Sequence, residues 1–196
     1  MARPKKANTD EMATVKIENA FWKLLEEESY SEITVLRISQ ESGTNRNSFY
    51  YHYRDIEDLA YQAFRHIADT ESSKMLLSVL LSAFQGNPAK KNDLVDPSFL
   101  DTAKHVMLYA GSDSTFLKDM VSDLLKETWF ETLAIKEDQL SEIEKLQIGF
   151  IFAGLVATLG SKAVQENPAT MPLLAQTELG KTAIKTMKDI SETQNR

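Results

Sequence analysis

Seven glycines and five prolines are spread through 196 residues. That is too little punctuation for a fold of short strands and turns, and it favours long helices. The apolar residues agree. Ala13, Ile17, Ala20, Phe21, Leu24 and Leu25 recur at three- and four-residue spacing, the period of an amphipathic helix. No segment shows the two-residue alternation of a convincing strand. An all-α fold is predicted, and 42% hydrophobic residues suffice to bury a real core.

Several function classes fall away on composition. There are no cysteines, so disulfides, thiolate metal sites and a cysteine nucleophile are excluded. The three histidines form no close pair, and no metal-ligand spacing, phosphate-binding glycine loop or Gly-x-Ser-x-Gly elbow is present. Neither an enzyme nor a metal or organic cofactor is expected. No apolar signal segment opens the chain and no apolar run reaches membrane-spanning length, so a cytoplasmic protein without a membrane partner is expected. The net charge of −7 argues weakly against nucleic acid, but its distribution matters more. Met1–Thr9 holds Arg3, Lys5 and Lys6 without an acid, and Ser42–Arg54 holds Arg46, His52 and Arg54 without an acid. The carboxylates lie elsewhere.

Residues Met1–Ala7 read as a basic arm. Asn8, with Glu11 three residues on, caps a first helix reaching Glu27. Thr34 caps a short second helix whose Val35, Ile38 and Ser42 face inward, and Gly43 stands where a helix stop needs positive φ. Asn45 caps a third helix with Phe49 and Tyr53 as its buried pair. Asp55 caps a long fourth that carries Ile56, Leu59, Ala60, Ala63, Phe64, Ile67, Leu76, Leu77, Leu80, Leu81 and Phe84, with a bend near Thr70–Ser73. Gly86–Pro97 reads as a loop. Further helices are expected from Asp96 or Pro97 to Ala110, from Ser114 to Ile135, from Ser141 to Glu166 and from Thr177 to Glu192.

The segment Thr34–Tyr53, TVLRISQESGTNRNSFYYHY, carries the chemistry. Two short helices joined by a tight glycine turn form a helix-turn-helix, in which the first helix braces on the DNA backbone and the second enters the major groove. With Phe49 and Tyr53 turned to the core, about 100° per residue places Asn47, Ser48, Tyr50 and Tyr51 outward, behind Arg46. Amide, hydroxyl, phenol and guanidinium groups bond base edges and phosphates. Spacing alone leaves a plain helical hairpin with surface aromatics open.

Residues from about Asn8 to Phe64 resemble the DNA-binding domain of the tetracycline-repressor (TetR) family. The resemblance rests on Thr34-Val35, Ile38, Ser42-Gly43, Ser48-Phe49-Tyr50, His52-Tyr53 and Glu57-Asp58-Leu59. It implies that Thr34 bonds a phosphate at a helix start. It also implies that Arg46, Asn47 and Ser48 read bases or adjacent phosphates, that Tyr50 and His52 grip phosphates, and that Tyr51 meets a base or sugar. Two positions depart from the family. Ile56 stands where a lysine is usual, removing one phosphate contact that Arg54 or the basic arm can replace, and Asn47 stands where a small residue is common.

The resemblance further implies an N-terminal three-helix DNA-binding domain, residues 1–55 with the arm, packed on a helical effector-binding and dimerisation domain, residues 56–196. Double-stranded DNA with a near-palindromic operator, a second copy of the chain and a small-molecule effector are the partners it implies. By family habit the outcome is repression released by the effector. Gly149, Ala153, Ala157 and Ser161 recur every four residues, a row that lets another helix approach closely. Phe150, Phe152, Leu155, Val156 and Leu159 surround the row, so the helix reads as apolar nearly all round and therefore buried. It is assigned to the dimer interface, with the last helix as companion in a four-helix bundle. His105, Tyr109, Phe116, Met120 and Trp129 are the effector-pocket candidates, although the same set suits core packing. A rival reading keeps the fold but acts as an activator or co-activator through protein contacts, without an effector.

Overall fold

A computed structural model of the chain describes residues 6–71, 74, 75, 78, 79, 82 and 97–195. Among the described residues, ten α-helices have both ends defined and there is no strand. Arg3, Lys5, the apolar positions Leu76, Leu77, Leu80, Leu81 and Phe84, and all of the loop expected at Gly86–Pro97 except Pro97, which opens a helix, lie outside them. The chain divides into two compact units, Met1–His66 and Ile67–Arg196.

The first unit holds α1 (Lys6–Glu27), α2 (Val35–Ser42), α3 (Arg46–His52) and α4 (Ile56–Ala68). Its core gathers one apolar stripe from each helix: Ile17, Phe21 and Leu24, then Ile38, Phe49 with Tyr53, and Leu59, Ala63 and Phe64, all buried. Burial at this spacing is what the 3.6-residue period dictates. Two ion pairs tie α2 back to α1 and the bend that follows it, Lys23 with Glu41 and Arg37 with Glu28. The Arg37 fork meets both Glu28 oxygens at 3.3 Å. Helix α1 opens at Lys6, ahead of the expected cap at Asn8. Lysine and alanine are good helix formers and let the helix run past that signal. Helix α4 closes at Ala68, and Asp69–Thr70 makes a turn in which the Thr70 hydroxyl donates to the Ile67 carbonyl at 2.7 Å. The expected bend near Thr70–Ser73 is thus a break at Asp69–Thr70, and beyond it the described residues 71, 74, 75, 78, 79 and 82 are helical again.

The second unit holds α5 (Pro97–Gly111), α6 (Thr115–Leu133), α7 (Glu142–Leu159), α8 (Lys162–Glu166), α9 (Met171–Gln176) and α10 (Glu178–Gln194). Helices α6, α7 and α10 start on Ser114, Ser141 and Thr177, whose side chains accept N–H bonds from the first turn. Trp129, Phe152, Leu125, Leu117 and Tyr109 are its largest fully buried side chains, with the Trp129 and Phe152 ring centroids 5.5 Å apart. The end of α10 is fastened by Gln194, which accepts from the Lys136 N–H at 2.8 Å and donates to the Lys136 carbonyl at 3.0 Å.

Two sequence expectations change here. Ser141–Glu166 is two helices rather than one. Its break falls at Gly160, which lies against the end of α5: a Cβ there would meet the Ala110 carbonyl and the Gly111 nitrogen well inside contact distance. Ser161 then caps α8 by accepting the Val164 N–H. Nor is α7 buried all round. Phe150 is 77% exposed, and Ile143 and Leu146 are exposed with it. Gly149, Ala153 and Ala157 also lie on the open side, and a Cβ at Gly149 would meet nothing within 4 Å. The short helix α9 was not foreseen.

Gly160→Ala should push α5 and α7 apart, since backbone rather than a flexible side chain blocks the new methyl. The expected cost is about 1–3 kcal/mol, read as a lower denaturation midpoint with an unchanged helical spectrum. A midpoint equal to the parent's would contradict the contact.

Candidate nucleic-acid interface

The turn between α2 and α3 fixes the site. At Gly43 the backbone enters the left-handed region, with φ of 65°, a conformation glycine adopts without strain. The Thr44 N–H then bonds the Ser39 carbonyl at 3.1 Å, closing α2. Ser42 and Thr44 hydroxyls meet at 2.7 Å across the corner. Asn45 restarts the chain: its Oδ1 accepts the Ser48 N–H at 2.8 Å and caps α3. Thr34 caps α2 in the same way, its Oγ1 accepting the Arg37 N–H at 3.3 Å. The Thr34 hydroxyl thereby spends a lone pair, and its hydrogen remains free to donate outward.

Seven residues make α3, and one side of it is sealed. Phe49 is fully buried and Tyr53, at its C-terminal cap, nearly so, with ring centroids 5.6 Å apart. The other side is open. Arg46 and Asn47 are exposed and Ser48 is half-buried. Tyr50 is 58% exposed and Tyr51 69% exposed, while His52 is half-buried between them and the core. The open aromatics do not hang loose. Phe49 meets the Tyr50 ring edge-on at 5.5 Å, and His52 meets Tyr51 edge-on at 4.8 Å. The structure thus brings Arg46, Asn47, Ser48, Tyr50 and Tyr51 onto one helix face, with His52 at its end and Thr34 at the start of the neighbouring helix.

The corner into α4 is capped twice. Asp55 Oδ1 accepts the Asp58 N–H at 2.8 Å, and Asp58 Oδ2 accepts the Arg54 N–H at 2.8 Å. That backbone bond, followed by the Gln62 amide, holds the Asp58 carboxyl below the ordinary aspartate range. Burial, then the bond to Glu18, pushes the Tyr53 phenol well above the usual tyrosine range. Ile56 is half-buried at the start of α4, and Arg54 is exposed within 3.5 Å of Asp58. Of the arm, Lys6 opens α1, while Arg3 and Lys5 lie outside the described residues.

The effector candidates lie in the second unit, His105 and Tyr109 on α5 and Phe116, Met120 and Trp129 on α6. Tyr109 and Trp129 are buried in the core, and the other three are half-buried. Neither cavity described in this unit is lined by any of the five. One, of about 130 Å³, lies between Phe150, Gly154, Leu174, Leu179 and Ala183. The other, of about 500 Å³, is an open groove between Lys118, Ser122 and Lys126 of α6 and Gly149, Ala153 and Ala157 of α7.

Sequence reasoning passed over Glu18 and Ser39. Ser39 is buried beside the turn. Glu18 accepts the Tyr53 hydroxyl at 2.8 Å. An acid directly after the buried Ile17 is the signal it left, and its partner 35 residues away is visible only in the fold.

A capped brace helix, a left-handed glycine corner and a sealed second helix with a polar outer face define a helix-turn-helix reader of DNA. Residues 19–63 match the model of the bacterial regulatory proteins of the tetR family. Over those residues the chain is similar to the regulatory proteins of that family, and the matched stretch contains the helix-turn-helix. No curated protein matches it. Among the described residues, no helix is long and apolar enough to cross a membrane.

Loss of the second cap tests the scaffold. Asn45→Ala should destabilise the first unit by about 1 kcal/mol, lowering its melting temperature. An unchanged melt would show that α3 is held by Phe49 and Tyr53 alone.

Proposed function

We propose that the outward face of α3 reads a near-palindromic operator as a homodimer, and that a small molecule bound in the second unit releases it, so that the protein represses transcription. The observation that carries the reading is the α3 face. Two exposed tyrosines beside Arg46 and Asn47, rigidly backed by Phe49 and His52, form a surface that a soluble protein exposes at a binding site. Arg46, Asn47 and Ser48 contact bases or neighbouring phosphates. Thr34, Tyr50 and His52 grip phosphates, and Tyr51 lies against a base or sugar. Two such helices, related by a dyad, enter successive major grooves about 34–36 Å apart.

The dyad is supported by α7. Its open side carries projections, Ile143, Leu146 and Phe150, next to a row of small residues, Gly149, Ala153 and Ala157; Ser161, the fourth of the sequence row, lies past the break at Gly160 as the cap of α8 and is not part of it. A twofold interface needs one patch that complements itself, and a helix holding both knobs and hollows meets that requirement. Leu179 of α10, also exposed, adds to the same apolar area. His105, Tyr109, Phe116, Met120 and Trp129 belong to the two helices from which the effector pocket is built. Effector and operator then oppose one another by the same factor in both directions.

Selection from randomised duplex DNA at two salt concentrations tests the reading. The expected result is an inverted repeat whose affinity falls steeply with salt, as counterions leave the neutralised phosphates. Tyr50→Ala should weaken binding to all sequences alike. Arg46→Ala should cost about 1–3 kcal/mol at particular base pairs if it pairs bidentately. No enriched sequence and a flat salt response would overturn the reading in favour of a protein-contact module.

Phe150→Asp tests the dyad separately. It should yield a monomer in sedimentation with an intact helical spectrum, and should weaken binding to the two-half-site duplex far more than to one half-site. A dimer that persists would move the interface elsewhere.

A further inference from the structure

We propose that Glu18 is a positioning residue of the reader: its single carboxylate ties the C-terminal end of α3 to the far end of α4 and so holds α3 in the place from which it grips DNA. Tyr53 Oη donates to Glu18 Oε1 at 2.8 Å. His66 Nδ1 lies 3.0 Å from Oε1 and 3.1 Å from Oε2 of the same group. A carboxylate only accepts, so both partners donate to it, and the histidine carries a hydrogen on Nδ1.

The three residues come from three places. Glu18 lies in α1 between the buried Ile17 and Phe21, and its side chain is only 15% exposed. Tyr53 caps α3, with its N–H on the Phe49 carbonyl at 2.9 Å, so a shift of its phenol carries the turn that bears Tyr50, Tyr51 and His52. His66 is the last residue of the first unit, and α4 continues for two residues into the second. The shared carboxylate is thus a tie between the helix that meets DNA and the helix through which the chain leaves the reader. Asp58 also acts on the Tyr53 phenol through its charge, but its oxygens are committed to Arg54 and Gln62. It does not substitute for Glu18. Bonds that share one acceptor are coupled: loss of either partner lets the carboxylate turn toward the other, and the tie between α3 and α4 is lost in both cases.

The inference rests on the reading of α3 as the DNA-contacting helix. The test uses the full chain and the duplex recovered by selection. It compares Tyr53→Phe, His66→Ala, the double variant, Glu18→Ala and Glu18→Gln, with melting temperatures measured alongside. Each single loss of Tyr53 or His66 should weaken binding by about threefold to tenfold, and the double variant should lose no more than the larger single. Glu18→Ala should match the double variant. Glu18→Gln, which keeps an acceptor for the tyrosine, should recover part of the affinity, and the His66 ring nitrogen resonances should shift in Tyr53→Phe. Losses that multiply in the double variant, or melting temperatures that fall while affinity holds, would overturn the inference with the reader intact. A parent chain that binds no duplex would overturn the reading beneath it.

Discussion

Phe49 and Tyr53 are the two side chains of α3 and its C-terminal cap that water does not reach, and the rest of the first unit is arranged to keep them so. A seven-residue helix cannot sustain itself in water, because nucleation costs more than so few bonds return. Helix α3 exists because one side of it is sealed against α1 and α2 and its start is fixed by Asn45. The left-handed corner at Gly43 sets the direction in which it leaves α2. Polarity and exposure on the other face follow from that geometry, since whatever is opposite Phe49 and Tyr53 faces solvent.

The first unit was largely legible because its signals are local. Thr34, Asn45 and Asp55 cap the helices they precede, and Gly43 takes the positive φ a tight stop requires. Such features act within four residues, so a linear reading finds them. What escaped it depends on distance. The break at Gly160 exists because Ala110 and Gly111, some fifty residues earlier, come to rest against it. The role of Glu18 requires Tyr53 and His66 to be brought to it. Without the fold it is one acid among many on α1.

Helix α7 shows a different limit. Its sequence is apolar in nearly every direction, and a helix of that kind reads as interior. The pattern states that water is to be excluded, but not by what. Ile148, Phe152, Leu155, Val156 and Leu159 are covered by their own chain, whereas Ile143, Leu146 and Phe150 are not. Large apolar side chains stand on both sides, so only the structure separates what the chain itself covers from what it leaves open. The effector candidates meet the same ambiguity from the inside: Tyr109 and Trp129 fill core, and an aromatic that fills core has the same sequence signature as one that lines a pocket.

The division of α3 into a sealed side and an open side has a consequence for how such a protein changes over time. Stability is vested in Phe49, Tyr53, Gly43 and the caps, while Arg46, Asn47, Tyr50 and Tyr51 make few contacts that the fold requires. Replacements at the open positions can therefore accumulate at little cost to folding. On the proposed reading of α3, a duplicated copy of this chain acquires a new address on the chromosome by altering those few side chains, leaving the machinery that holds them untouched.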